Sequence, residues 1–232
     1  MITPNPICLA LDTPDVERAR ELARLLRLHV GYMKIGMEFF YANGVAGYEA
    51  VASEGLPIFL DLKLHDIPNT VAQGLKSLMR LAPPPAIINV HAIGGIEMMK
   101  AARDSVGSQT KLIAVTFLTS LSQQDIFRLG YDAFSIDRHA TNLARLALAA
   151  GLDGVVCSPA DLPRIRKKLP RDFMTVVPGI RPEGSDSQDQ KRIATPAAAM
   201  AAGADIMVIG RAITMASDPV KAASDILAGL TP

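Results

Sequence analysis

Two residues of opposite charge interrupt what would otherwise be a wholly apolar run: Asp61 and Lys63 alternate with leucines in Ile58-Phe59-Leu60-Asp61-Leu62-Lys63-Leu64. Side chains alternate across a strand, so Leu60, Leu62 and Leu64 share one face while Asp61 and Lys63 share the other. If helices cover the leucine face, both charges turn inward, where each needs a partner of opposite sign to offset its desolvation. A carboxylate and an ammonium held together in this way suit electrostatic stabilisation and proton transfer. A structural ion pair is the plainer reading, but stability alone hardly calls for charges at consecutive inward positions. Lys34, in Tyr32-Met33-Lys34-Ile35-Gly36, supplies a second inward cation on a neighbouring strand, and Asp12 ends the first strand with another acid. Taken alone, Asp12 before Thr13-Pro14 reads as a turn or capping residue; the set of four argues for a site.

His65 and Asp66 follow directly, then Ile67-Pro68-Asn69-Thr70, where the proline ends strand pairing and can start a helix. A strand-end histidine such as His65 commonly bonds to backbone. His91, two residues after Asn89, has inward parity and the same ambiguity, whereas His29 and His139 read as surface residues. Cys8 and Cys157 stand far apart in apolar runs with no clustered ligands, so they read as reduced core residues and no metal site is expected.

The elements that must position these groups recur eight times. Short apolar, β-rich runs occur at Ile7–Asp12, Tyr32–Gly36, Ile58–Leu64, Ala86–Ala92, Leu112–Leu118, Gly154–Ser158, Met174–Ile180 and Ile206–Gly210. Helical segments separate them. The first has Thr13 as cap, Pro14 at the first helical position, and a stripe of Val16, Ala19, Ala23 and Leu26. Strands apolar on both faces and separated by helices pair in parallel. Eight such units predict an α/β fold, a single-domain (β/α)8 TIM barrel over residues 1–232, with Asp61 and Lys63 near its C-terminal mouth. An open doubly wound sheet is the competitor, but G-x-G-x-x-G is missing after the first strand. Ala150-Gly151-Leu152-Asp153 and Ala202-Gly203-Ala204-Asp205 form a weak internal repeat two units apart. The polar stretch Arg181–Arg192 follows the seventh strand, where a barrel commonly binds phosphate together with the eighth, and it reads as a functional loop.

With 24 basic and 23 acidic residues and a net charge of +1, the 232-residue chain lacks the basic footprint of a nucleic-acid binder. A small-molecule substrate is the expected partner. Neither a secretory signal nor a membrane span is visible, so a soluble, cytoplasmic protein is expected.

The run Asp61-Leu62-Lys63-Leu64-His65-Asp66-Ile67-Pro68-Asn69-Thr70 closely resembles the signature of the orotidine 5′-monophosphate decarboxylases. Ala10-Leu11-Asp12, Lys34-Ile35-Gly36, Phe117-Leu118-Thr119-Ser120, Pro178-Gly179-Ile180-Arg181-Pro182 and Val208-Ile209-Gly210-Arg211 extend the resemblance across almost the whole chain. It implies cofactor-free conversion of orotidine 5′-monophosphate to UMP and CO₂, by a homodimer with shared active sites. Lys34, Asp61 and Lys63, with Asp66 from the other subunit, would form an alternating charged network, and Lys63 would protonate C6 of the pyrimidine. Asp12 and Lys34 would hold the ribose, assisted by Thr70 of the other subunit, while Thr119 contacts the pyrimidine amide and Ile67 forms an apolar wall. Phosphate would bind backbone N–H groups near Gly210 and the Arg211 guanidinium, with Gln190 and Arg181 closing over it. Without the resemblance, Thr119 reads as a turn hydroxyl and Arg211 as a surface residue. Two alternatives stay open: a related barrel acting on sugar phosphates through Mg²⁺, which shares the Asp-x-Lys-x-x-Asp spacing, and an inactive barrel that only binds a phosphorylated ligand.

Overall fold

A computed structural model describes residues 5–132, 136–182 and 194–230. Eight parallel strands close into a barrel in chain order: β1 (Ile7–Leu11), β2 (Tyr32–Gly36), β3 (Ile58–Leu64), β4 (Ile87–His91), β5 (Lys111–Val115), β6 (Gly154–Val156), β7 (Met174–Val177) and β8 (Ile206–Ile209). Helices α1 (Val16–Leu26), α2 (Met37–Ala52), α3 (Pro68–Leu78) and α4 (Ile96–Asp104) follow the first four strands. Around the second half lie α5 (Gln123–Arg128), α6 (Ile136–Ala149), α7 (Leu162–Lys168), α8 (Pro196–Ala201), α9 (Arg211–Thr214) and α10 (Pro219–Ala228).

Alternation along each strand divides the core in two. Ile7, Leu9, Leu11, Met33, Ile35, Leu60 and Leu62 pack outward with Ala19, Leu22, Ala23 and Leu26 of α1 and the other helices' apolar faces. Cys8, Ala10, Phe59, Ile87, Ile113, Val115, Val156, Val176, Ile206 and Val208 fill the barrel. The interior is a packed floor rather than a pore, and charged side chains, Asp61 and Lys63 among them, stand above it.

Most strands stop short of their apolar runs. β5 ends at Val115 instead of Leu118, because Phe117 packs with Ile126 and Ala140 in a separate cluster beneath the following loop. β1, β6, β7 and β8 likewise end at Leu11, Val156, Val177 and Ile209; the apolar residues beyond continue into the loops, Ile180 making an isolated bridge to Ala194. The cap of α1 also differs from expectation. Asp15, not Thr13, accepts from the Arg18 N–H, while Thr13 Oγ1 accepts from the Asp15 N–H, so Pro14 lies before the helix.

The paired Ala-Gly-x-Asp segments form the same device twice at the N-terminal end of the barrel. Asp153, just before β6, accepts from the Leu112 N–H of β5 at 2.9 Å and from Arg103 of α4 at 2.6 Å. Asp205, just before β8, accepts from the Thr175 N–H of β7 at 2.8 Å and from Arg166 of α7. Each arginine also donates to backbone carbonyls, Val106 and Gly107 in one case, Phe173 and Gly203 in the other. Gly151 and Gly203, at φ 79° and 101°, turn the chain between helix and strand in the left-handed region that a side chain would strain.

Arg166 is nearly buried, so removing it takes one of two arginines from the Asp205 carboxylate, which keeps Arg171 and the Thr175 N–H, and leaves the Phe173 and Gly203 carbonyls without its guanidinium. Arg166→Met is expected to cost about 2 kcal/mol of unfolding free energy, the range for losing hydrogen bonds to charged groups, because Arg171 still compensates Asp205. Urea unfolding midpoints measure it; a loss below about 1 kcal/mol would reduce the device to a surface contact.

Candidate active site

The inward positions change character from floor to mouth. Ala10 of β1, Lys34 of β2, Phe59 of β3 and Ile87 of β4 are in register, and Gly36 pairs with Asp61 one inward step higher. Lys34 therefore starts in the apolar layer and its stem carries the ammonium upward. Nζ reaches Asp12 at 3.3 Å and Asp61 at 3.5 Å. Gly36 leaves room for it: a Cβ there would stand 3.1 Å from Nζ.

Lys63 Nζ donates to Asp61 Oδ1 at 2.8 Å, which completes the row Lys34–Asp61–Lys63. This contact depends on an irregular backbone. Leu60 pairs with Ile88 and Leu64 with Val90, so β3 takes four residue steps where β4 takes two. Lys63, within the excess, has φ 52°, a conformation costing a side-chain-bearing residue roughly 1–2 kcal/mol. Simple strand alternation put Asp61 inside correctly, but it does not describe Lys63, whose ammonium folds back toward Asp61 from a bulge.

Asn89 was missed as a site residue. Its fully buried amide donates to Asp61 Oδ1 at 2.7 Å and accepts from the Lys63 N–H at 2.8 Å. The available signal was an amide at inward parity in an apolar strand adjacent to the charged one.

Burial pushes the Asp61 carboxyl up, but Lys34, Lys63 and the hydrogen bonds from Lys63 and Asn89 outweigh it and hold the group below the ordinary carboxylate range. Burial works against the Lys34 ammonium in the same way, and Asp61 and Asp12 together hold its pKa above the usual value. The pair is therefore charged throughout the neutral range. Both contributions have defined pH windows: that of Asp61 is lost as pH falls through its depressed folded pKa, that of Lys34 as pH rises through its elevated one.

His91 packs on His65 with ring centroids 5.5 Å apart. Burial, followed by His65 and Lys63, lowers the His91 pKa, which favours the neutral ring. Neither His29 nor His139 is the surface residue expected. Partly buried His29 meets Ser224 of α10 at 3.0 Å, and His139 has a buried Nε2 with no hydrogen-bond partner among the described residues.

The charged row borders a cavity of about 510 Å³ at the C-terminal mouth. Asp12, Lys34, Asp61 and Lys63 line it from the first three β/α units, and Thr119, Arg181, Gly210 and Arg211 from the fifth, seventh and eighth. Thr119 and Arg181 are buried, and Arg181 Nη1 donates to the Ile180 carbonyl at 3.0 Å. Asp66, Ile67 and Thr70 are exposed and do not line this cavity. Asp66 accepts from the Ile67 N–H at 2.7 Å, immediately before Pro68 opens α3. Gln190 lies outside the described residues.

A closed parallel barrel that gathers buried opposite charges and arginines around a cavity at its C-terminal mouth defines a (β/α)8-barrel of the enzyme type. Residues 5–226 match the Orotidine 5'-phosphate decarboxylase / HUMPS family, and the chain belongs to it. Among its relatives, orotidine 5'-phosphate decarboxylase of Erythrobacter litoralis is 50% identical over 226 residues, covering 97% of this chain and 99% of the relative. The protein of that name from Sphingopyxis alaskensis is 51% identical with the same coverage. Among solved structures, orotidine 5'-phosphate decarboxylase from Lactobacillus acidophilus superposes with a TM-score of 0.82 at 37% identity, covering 98% of this chain and all of that one.

Proposed function

We infer that this chain decarboxylates orotidine 5′-monophosphate to UMP and CO₂, the last step of de novo UMP synthesis, without a cofactor. The observation that carries the reading is Lys63 Nζ held 2.8 Å from Asp61 on the cavity wall, with Lys34 on the other side of the same carboxylate. Cleavage of the C6–CO₂ bond leaves its electron pair on C6. An ammonium already in place stabilises that charge without reorganisation and then transfers a proton to the carbon, its neutral amine being reprotonated from solvent. Asp61 orients Lys63 and crowds the departing carboxylate.

Asp12 and Lys34 hold the ribose hydroxyls and Thr119 the pyrimidine amide. Arg211, the backbone near Gly210, Arg181 and Gln190 take the phosphate, and a guanidinium can do so through a bidentate fork. Phosphate binding at a distance from the reacting bond supplies energy for assembling the charged site. Asp66, Ile67 and Thr70 act in the site of a second copy. Their exposure, outside the cavity of their own barrel, supports a homodimer with shared sites. Cytoplasmic location belongs to the same proposal. Among the described residues no helix is long and apolar enough to cross a membrane.

The direct experiment follows the loss of orotidine monophosphate absorbance on adding purified protein, with CO₂ release measured in parallel. Turnover is expected to be unchanged in excess EDTA. Activity that vanishes with EDTA and returns with Mg²⁺ would overturn the cofactor-free reading, and binding of the nucleotide without CO₂ release would make the chain a binding protein.

A further inference from the structure

The mismatch between β3 and β4 requires something to hold it. Between Leu60 and Leu64 the third strand carries two more residues than the fourth carries between Ile88 and Val90, and Asn89 is the single β4 residue spanning that interval. A bulge of this kind leaves backbone groups without ladder partners and re-aims a side chain. Here Asn89 Oδ1 accepts from the Lys63 N–H, and Asn89 Nδ2 donates to Asp61 Oδ1, the same oxygen that accepts from Lys63 Nζ. One fully buried amide therefore grips both the backbone of the lysine and the carboxylate the lysine must meet.

We propose that Asn89 is a positioning residue for decarboxylation: it holds Lys63 in the left-handed conformation that keeps its ammonium against Asp61 before substrate arrives. It touches no substrate in this scheme and acts through Lys63 and Asp61. A side chain that only accepted would fix the lysine backbone and leave the carboxylate to the two lysines alone. One that only donated would hold the carboxylate and leave the Lys63 N–H unpaired inside the barrel. An amide at this site does both, and the Asn89 hydrogen bond is among the contacts that keep Asp61 ionised.

The inference rests on the proposed decarboxylation, so its test has one readout that depends on activity and one that does not. In Asn89→Ala, kcat is expected to fall on the order of 10²-fold, as for an ångström-scale misplacement, with KM changed less than about threefold because the phosphate contacts lie elsewhere and Lys34 keeps its bond to Asp12. A crystal structure of the variant should show Lys63 out of the left-handed region or its Nζ no longer bonded to Asp61. Asn89→Asp, nearly isosteric, retains the acceptor for the Lys63 N–H but donates to Asp61 only when protonated. Its kcat relative to the parent should therefore rise toward acid pH, which a purely structural amide would not produce, and this variant decides the matter if Asn89→Ala does not fold. Parental kcat in both variants, or Lys63 unmoved on Asp61 in the Asn89→Ala crystal, overturns the proposal. A parent protein without decarboxylase activity would instead overturn the function, and the Lys63 geometry would still decide the role of Asn89.

Discussion

Lys63→Ala should lower kcat by about 10⁴-fold or more while leaving the barrel folded. Proton delivery by a placed side chain accounts for roughly 10²–10⁴. Loss of a preorganised donor to the developing charge adds roughly another 10²–10³. The two effects come from one ammonium, so their product is an upper bound on the loss. Stability should change little because the Lys63 side chain sits at the mouth, 26% exposed, outside the apolar floor. Asp61 also keeps Lys34 at 3.5 Å and Asn89 at 2.7 Å, so its charge is not orphaned. Alanine tolerates φ 52° no better than lysine, and backbone strain is therefore unchanged. Single-turnover absorbance measurements alongside thermal unfolding test this; a kcat within tenfold of the parent would remove Lys63 from the chemistry.

The second large effect is a recovery. Lys63→Ala and Asp66→Ala proteins should each be nearly inactive, yet mixing them under conditions that allow subunit exchange should restore about a quarter of the parental activity per subunit. Equal amounts exchanging at random give about half heterodimers, and each heterodimer holds one site with an intact Lys63 and the other chain's intact Asp66. The expectation rests on Asp66 being exposed, just ahead of α3 and outside the cavity lined by its own Lys63. Mass spectrometry verifies the exchange. Verified heterodimers with no recovered activity would place Asp66 in its own barrel's chemistry or outside the chemistry altogether.

Much of this site is legible along the chain because a strand's side-chain period is local. Asp61 among leucines, Lys34 between Met33 and Ile35, and Asp12 beyond Leu11 each acquire an inward direction from their immediate neighbours. Thr119 and Arg211 are different: the residues beside them specify only a turn and a surface cation, and the resemblance to a family marked them. The structure then sets both on the cavity wall. Gln190 falls outside the described residues and stays an expectation. The paired Ala-Gly-x-Asp segments carried more meaning than their weak similarity suggested. Their shared role becomes visible only when Arg103 and Arg166 arrive from helices distant in the chain.

By itself the sequence determined eight β/α units, the division of each strand into an outward apolar face and an inward one, and the gathering of opposite charges at one end of the closed sheet. Those outcomes follow from alternation and helix periodicity, which need no knowledge of a partner strand. Tertiary structure alone decided how β3 lies against β4: the two surplus residues, the left-handed Lys63, and Asn89 bridging the lysine backbone and Asp61. Register is a relation between two strands remote in sequence, and a residue adopts positive φ because its partner strand supplies the hydrogen bonds that offset the strain. Neither quantity exists until the barrel closes.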